Sequence, residues 1–254
     1  MFPNRTNPKL QLVAVGQQSP VGSGRPAPYP LPGEAQFPGP PAMPHALLQL
    51  ELCLSAYVVD LQDITNIIRS DVGLMVQILR LAAREAESPT GKIHAVSEIA
   101  IQLGVVRLGE LATQTKPLPD YFRGQVGASR CVRFWTHARL SALIAEELAS
   151  RSWEVSPEEA YVAGLLYRVG DLPSVLGWTT TGSGGTDFHH IGYQMAKAWE
   201  FPRGLADVIG GYGEIGRTDD SRKLLELAES ADNWASRFEL LSARGAMKSE
   251  TSVM

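Results

Sequence analysis

Ile67-Ile68-Arg69-Ser70-Asp71-Val72-Gly73-Leu74-Met75-Val76-Gln77-Ile78-Leu79-Arg80-Leu81-Ala82 is the stretch from which the fold of this chain can be read. Behind Asp71, a residue type that caps helix N-termini, Val72, Met75, Ile78, Leu79 and Ala82 recur at three- and four-residue spacing. That spacing predicts a helix with one apolar face. Upstream, Leu61, Ile64, Ile67 and Ile68 form a similar stripe.

Working outward, the same period continues to the end of the chain. Between Arg130 and Arg151, Leu140, Leu143, Ile144 and Leu148 line one face, while Ala138, Ala142, Ala145 and Ala149 permit close helix approach. Ser156-Pro157-Glu158-Glu159 reads as a helix start, with serine as cap, proline in the first turn and Glu159 completing a capping box. The helix it opens, through Tyr161, Val162, Ala163, Leu165 and Leu166, is apolar all round and therefore expected at the centre. Phe201-Pro202 opens another helix. A last one, from about Ser221, carries Leu224, Leu225, Ala228, Ala231, Trp234, Ala235 and Phe238 on one stripe. No alternating strand pattern interrupts these segments, and Thr179 to Gly185 reads as a flexible interior loop. The fold class is all-α, a single multi-helix bundle without a solenoid repeat.

Composition places a boundary ahead of that bundle. The chain has 254 residues, 44% apolar and 20% charged, and 11 of its 17 prolines lie within residues 1–44. Proline removes backbone donors, and few apolar side chains are present there to offset ordering entropy. Residues 1–44 are thus expected to be an extended or disordered arm, in which Leu10 to Val15 could form a short strand and the Pro-x-Pro spacing could engage an aromatic groove. The helical domain is expected over 45–242 and a frayed polar tail over 243–254.

A formal net charge of −4 argues against general nucleic-acid binding, and no run of about 18 apolar residues suggests a membrane span. Two cysteines, Cys53 and Cys131, exclude a disulfide framework. With no apolar signal core at the start, the expected setting is cytoplasmic. The five histidines include no His-x-x-x-His pair, and no Cys-x-x-Cys occurs. His189-His190 reads as a surface helix turn, since neighbours on a helix point about 100° apart. Gly-x-Ser-x-Gly is missing, and Gly182-Ser183-Gly184-Gly185 lacks the lysine of a phosphate loop. The residues taken alone support no enzyme.

The order of the segments resembles a known family. Ile67 to Leu74, followed by Ile78 to Ala82, resembles a signature of HDOD domains, and Val96 to Gly104 resembles that family's next helix pair. Phe134-Trp135-Thr136-His137 with the helix after it, Ala160 to Gly170, Gly192 to Pro202 and Ala231-Asp232 resemble the remaining segments in order. The resemblance covers roughly residues 40–242. It implies a helical bundle related to the HD phosphohydrolases and used in bacterial signalling, often as a protein-interaction module.

In the related enzymes histidines, a His-Asp dipeptide and a final aspartate converge on divalent ions. On the matching positions this chain keeps His137 and Asp232, replaces the dipeptide by Tyr167-Arg168, and carries Phe188 and Gly211-Tyr212 where further histidines would fall. Two retained ligands are too few where a catalytic zinc usually takes three, and an arginine does not deprotonate to admit a cation. The resemblance therefore implies no catalytic residue, no metal and no cofactor. It leaves a vestigial pocket of His137, Tyr167, Arg168 and Asp232. Arg168 either pairs with Asp232 across that pocket, Tyr167 filling the space of the missing histidine, or turns outward to Glu158 or another acid. The leading expectation is a non-catalytic signalling module with an unnamed protein partner. The others are a sensor holding a nucleotide or anion in the vestigial pocket and a divergent phosphohydrolase.

Overall fold

Two helices meet head to tail at Asp71, α2 (Leu61–Arg69) and α3 (Val72–Glu85), and the meeting point organises the N-terminal half of the chain. The computed structural model describes residues 37–85, 95–118, 128–152, 154–178, 187–212 and 219–251. Asp60 caps α2, accepting a hydrogen bond from the Gln62 amide at 2.7 Å. The Asp71 carboxylate does more than cap α3. Its Oδ1 accepts the Leu74 amide at 2.9 Å, while Oδ2 accepts the Met43 amide at 2.9 Å and the Trp135 indole at 3.0 Å. Burial pushes the Asp71 carboxyl up, and the surrounding N–H donors pull it back.

α1 (Pro44–Leu54) and α4 (Val96–Gln114) pack with α2 and α3 to complete this half. The helix pair expected around Val96 to Gly104 is one element broken at Gly104, whose φ of +70° only glycine adopts without strain. Ahead of α1, residues from Phe37 to Met43 lie across the bundle as a strap. Ala42 donates to the Lys116 carbonyl and accepts from the Leu118 amide, the Trp199 indole donates to the Phe37 carbonyl, and Gln77 donates to that of Pro40. Gly73 makes this seat possible, because a Cβ there would lie 2.0 Å from the Pro41 oxygen. Residues 37–43, ahead of the boundary that proline content suggests, are thus tied to the bundle by hydrogen bonds of their backbone.

The C-terminal half is built on α5 (Ala128–Ser150) and α6 (Pro157–Leu166). Ala138, Ala142, Ala145 and Ala149 are all buried, and a Cβ on Gly164 would come within 2.9 Å of Ala145, so the two helices run almost backbone to backbone. The small residues, not the leucines, take the inner face of α5. Leu140, Ile144 and Leu148 are only half-buried, and Leu143 is exposed. α6 is buried from Ala160 to Leu166, as its composition predicts. A 3₁₀ turn (Val169–Asp171) and α7 (Leu172–Leu176) follow, then α8 (Phe188–Ala198), α9 (Arg203–Ile209) and α10 (Asp219–Thr251). α8 rests on the 3₁₀ turn and α10 on α5, α6 and α9, while α3 touches α5 to join the halves. Gly170 sets the first of these contacts, since a Cβ would fall 1.8 Å from the Phe188 oxygen.

Among the described residues there is no strand, only an isolated bridge between Ala42 and Pro117, and no helix is long and apolar enough to cross a membrane. Two expectations need correction. Ser156 flanks α6 but makes no side-chain cap bond, Pro157 alone pre-setting the first turn. On α10, Leu224, Leu225, Ala228, Ala231 and Ala235 face inward, whereas Trp234 and Phe238 are exposed. The segments Leu10 to Val15 and Thr179 to Gly185, and the Pro-x-Pro run, lie outside the described residues.

Candidate functional site

α5, the end of α6, the start of α8 and the middle of α10 bring the four candidate residues together. His137 projects from α5 between two carboxylates of α10, with Nε2 2.8 Å from Asp232 Oδ1 and Nδ1 3.1 Å from Glu239 Oε1. A neutral imidazole has one N–H, so both bonds to ionised carboxylates require the imidazolium. The Asp232 hydrogen bond raises the His137 pKa against the opposing effect of burial, with the charges of Asp232 and Glu239 adding to it.

Arg168 follows α6 and reaches into the same space. Its Nη1 lies 3.6 Å from Asp232 Oδ2, and Nε and Nη2 both lie 2.8 Å from Asp171 Oδ2. The Phe188 ring covers the guanidinium, 4.5 Å from Cζ to ring centre. Arg168 thus meets an acid of its own turn and one across the pocket, combining the two arrangements that the sequence left open; the acid of its own turn is Asp171, not Glu158.

Tyr167 is buried edge-on against Phe188 and His189. Burial, and then the nearby Glu229 and Asp232 charges, push its phenol up to about 12. Its hydroxyl approaches His189 Nε2 at 3.4 Å, while His189 Nδ1 donates to the Ile209 carbonyl at 2.9 Å. That bond places a proton on Nδ1. The expectation of a surface His189-His190 turn is half corrected: His189 faces the site, and His190 is exposed beside Gln194, 2.8 Å away. Gly211 has a φ of +63° and packs on the His189 ring, and Tyr212 stacks edge-on with Tyr193.

Glu239 was not anticipated. It lies seven residues after Asp232, two helical turns along the same face, a periodicity that could have marked it. The linked side chains are two cations, Arg168 and His137, and three carboxylates, Asp171, Asp232 and Glu239. Every charge has an opposite partner within the group. The divalent ion implied by the HD resemblance does not fit these residues. Each of the two retained ligands spends a ligating atom on the other, and a permanent guanidinium sits against Asp232. Among the described residues no cluster of three or more His, Cys, Asp or Glu side chains could hold a metal.

Stability follows pH through His137. Its folded pKa is raised, so its contribution is complete below the unfolded value of about 6.5 and is lost as pH rises through the folded value. Thermal melts should therefore show a midpoint that falls as pH rises above about 6.5, with a smaller fall in His137→Gln. Parallel curves for the two proteins would contradict the paired imidazolium.

The class is an all-helical bundle whose α5, α6 and α10 meet at the ion pairs of His137, Arg168 and Asp232. The HDOD domain model matches residues 41–178, more than half of the chain, and the protein belongs to the HDOD family. Asp232 and Glu239 lie beyond that match. Among solved structures, the MmoQ response regulator from Methylococcus capsulatus str. Bath aligns with a TM-score of 0.61 at 17% identity, covering 78% of this chain and 86% of that one. A virulence factor from Campylobacter jejuni subsp. jejuni aligns at 0.56 and 16% identity, covering 76% and 77%. At these identities the likeness is one of fold. No curated protein matches the sequence.

Proposed function

We propose that this protein is a non-catalytic regulatory module of bacterial signal transduction that works by binding another protein. The observation that carries the reading is the Arg168 guanidinium lying 3.6 Å from Asp232, where the related enzymes would bring a cation. An arginine at that point supplies a positive charge that cannot exchange, activate water or leave. The sharing of fold with a response regulator agrees with a regulatory role. Support for an interaction role comes from α10, which exposes Trp234, Phe238 and Leu241 at four- and three-residue spacing along one flank of its buried stripe.

The vestigial pocket has less support as a small-ligand sensor, because Arg168 is already engaged by two carboxylates. The hydrolase reading has less again, for want of a ligand set. Elemental analysis of protein produced with added manganese, iron and zinc should find far less than one ion per chain, and manganese-loaded protein should not hydrolyse a model phosphodiester. Stoichiometric metal together with turnover would overturn the proposal.

A further inference from the structure

α3 and α4 enclose a cleft of about 510 Å³ that is separate from the pocket of His137 and Asp232. Three arginines line it, Arg80, Arg84 and Arg107, with two glutamates, Glu85 and Glu110. Both glutamates are spent on Arg107, each at 2.8 Å. Among the described residues Arg80 has no such partner. Its Nη1 donates to Gln77 Oε1 at 3.2 Å, its guanidinium lies 5.8 Å from the centre of the Trp199 ring, and its Nε is buried without a hydrogen-bond partner. Arg84, one helical turn on, adds a second positive charge. Burial first, and then Arg84, push the Arg80 guanidinium down to about 10.

A half-buried guanidinium with a buried, unpartnered Nε favours a counter-charge, and the described residues supply none at this end of the cleft. We propose that the cleft binds a phosphate-bearing small molecule, its phosphate seated between Arg80 and Arg84. A phosphate matches the fork of a guanidinium and, as a dianion, balances two of them. The cleft is within the size range of small-molecule sites and larger than a bare phosphate requires, leaving room toward Gln114 for the body of a metabolite. This site is independent of the proposed loss of catalysis and would give the regulatory domain a small-molecule input.

Calorimetric titration and thermal melts of the full chain with phosphate, pyrophosphate and ADP, at constant ionic strength, test the proposal. Pyrophosphate should raise the melting midpoint by several degrees. Arg84→Gln, an exposed position that should leave folding intact, should weaken the pyrophosphate Kd at least about tenfold, and Arg80→Gln should do so more strongly. Arg151→Gln, which removes an equal charge from an exposed pair with Glu147, should leave the Kd unchanged. ADP binding tighter than pyrophosphate would assign a nucleotide, and equal affinity would assign the phosphate group alone; either supports the site. No heat and no midpoint shift with any probe at about 10 mM, or equal weakening by Arg151→Gln, would overturn it.

Discussion

Asp71→Ala is expected to cost about 4 kcal/mol of stability, enough to unfold much of a marginal domain at 37 °C. The side chain is buried and accepts three hydrogen bonds, from the Leu74 and Met43 amides and the Trp135 indole. Alanine leaves those donors without acceptors, each costing about 1–3 kcal/mol where water cannot reach. Asp71→Asn should fall between, since its amide nitrogen must face a donor whichever way it is turned. Trp135→Phe removes one donor and should cost less than either. Urea unfolding of the series checks the order. A loss under 1 kcal/mol for Asp71→Ala would mean that the carboxylate is a cap and nothing more.

The second large effect is expected from Asp232→Ala, at about 3 kcal/mol. That carboxylate faces two cations, His137 at 2.8 Å and Arg168 at 3.6 Å, and its removal leaves them with Glu239 and Asp171 only. The pH response should change with it. Without Asp232, the strongest influence raising the His137 pKa is gone and burial opposes what remains, so the gain in stability toward acid pH shrinks. Adding His137→Phe should recover part of the loss, because an apolar ring in a buried site carries no unpaired charge. If the double variant were less stable than Asp232→Ala, the imidazolium would not be the group that suffers.

The helices were legible because their apolar period is strong. Asp71, the alanine stripe of α5 and the apolar run Tyr161 to Leu166 of α6 pointed to the right elements, and the ordered segments pointed to the HDOD family. What local spacing cannot give is a distant partner. The same aspartate that caps α3 also receives a donor from α5, 64 residues away, and no short-range pattern encodes that. On α10, Trp234 and Phe238 lie near the edge of the inward stripe by position, and only the packing of α5 and α6 decides that they stay outside. In the site, the meeting of Arg168 with Asp232 could be framed from the resemblance. Asp171 and His189 could not, because their roles depend on how the 3₁₀ turn and α8 close against each other at Gly170.

The strap at Phe37–Met43 bears on the order in which this chain can fold. Helical bundles fold fast when their contacts are local in sequence. Here the Trp199 indole reaches the Phe37 carbonyl across 162 residues, and His137 reaches Asp232 across 95. Neither closure can form on the ribosome before α8 and α10 have emerged. A chain ended at residue 178, where the family match stops, would keep His137 and Arg168 but lose Asp232, Glu239 and the tryptophan that holds the strap. The matched segment is therefore the recognisable part of the chain, while partners of the strap and of His137 come from beyond it.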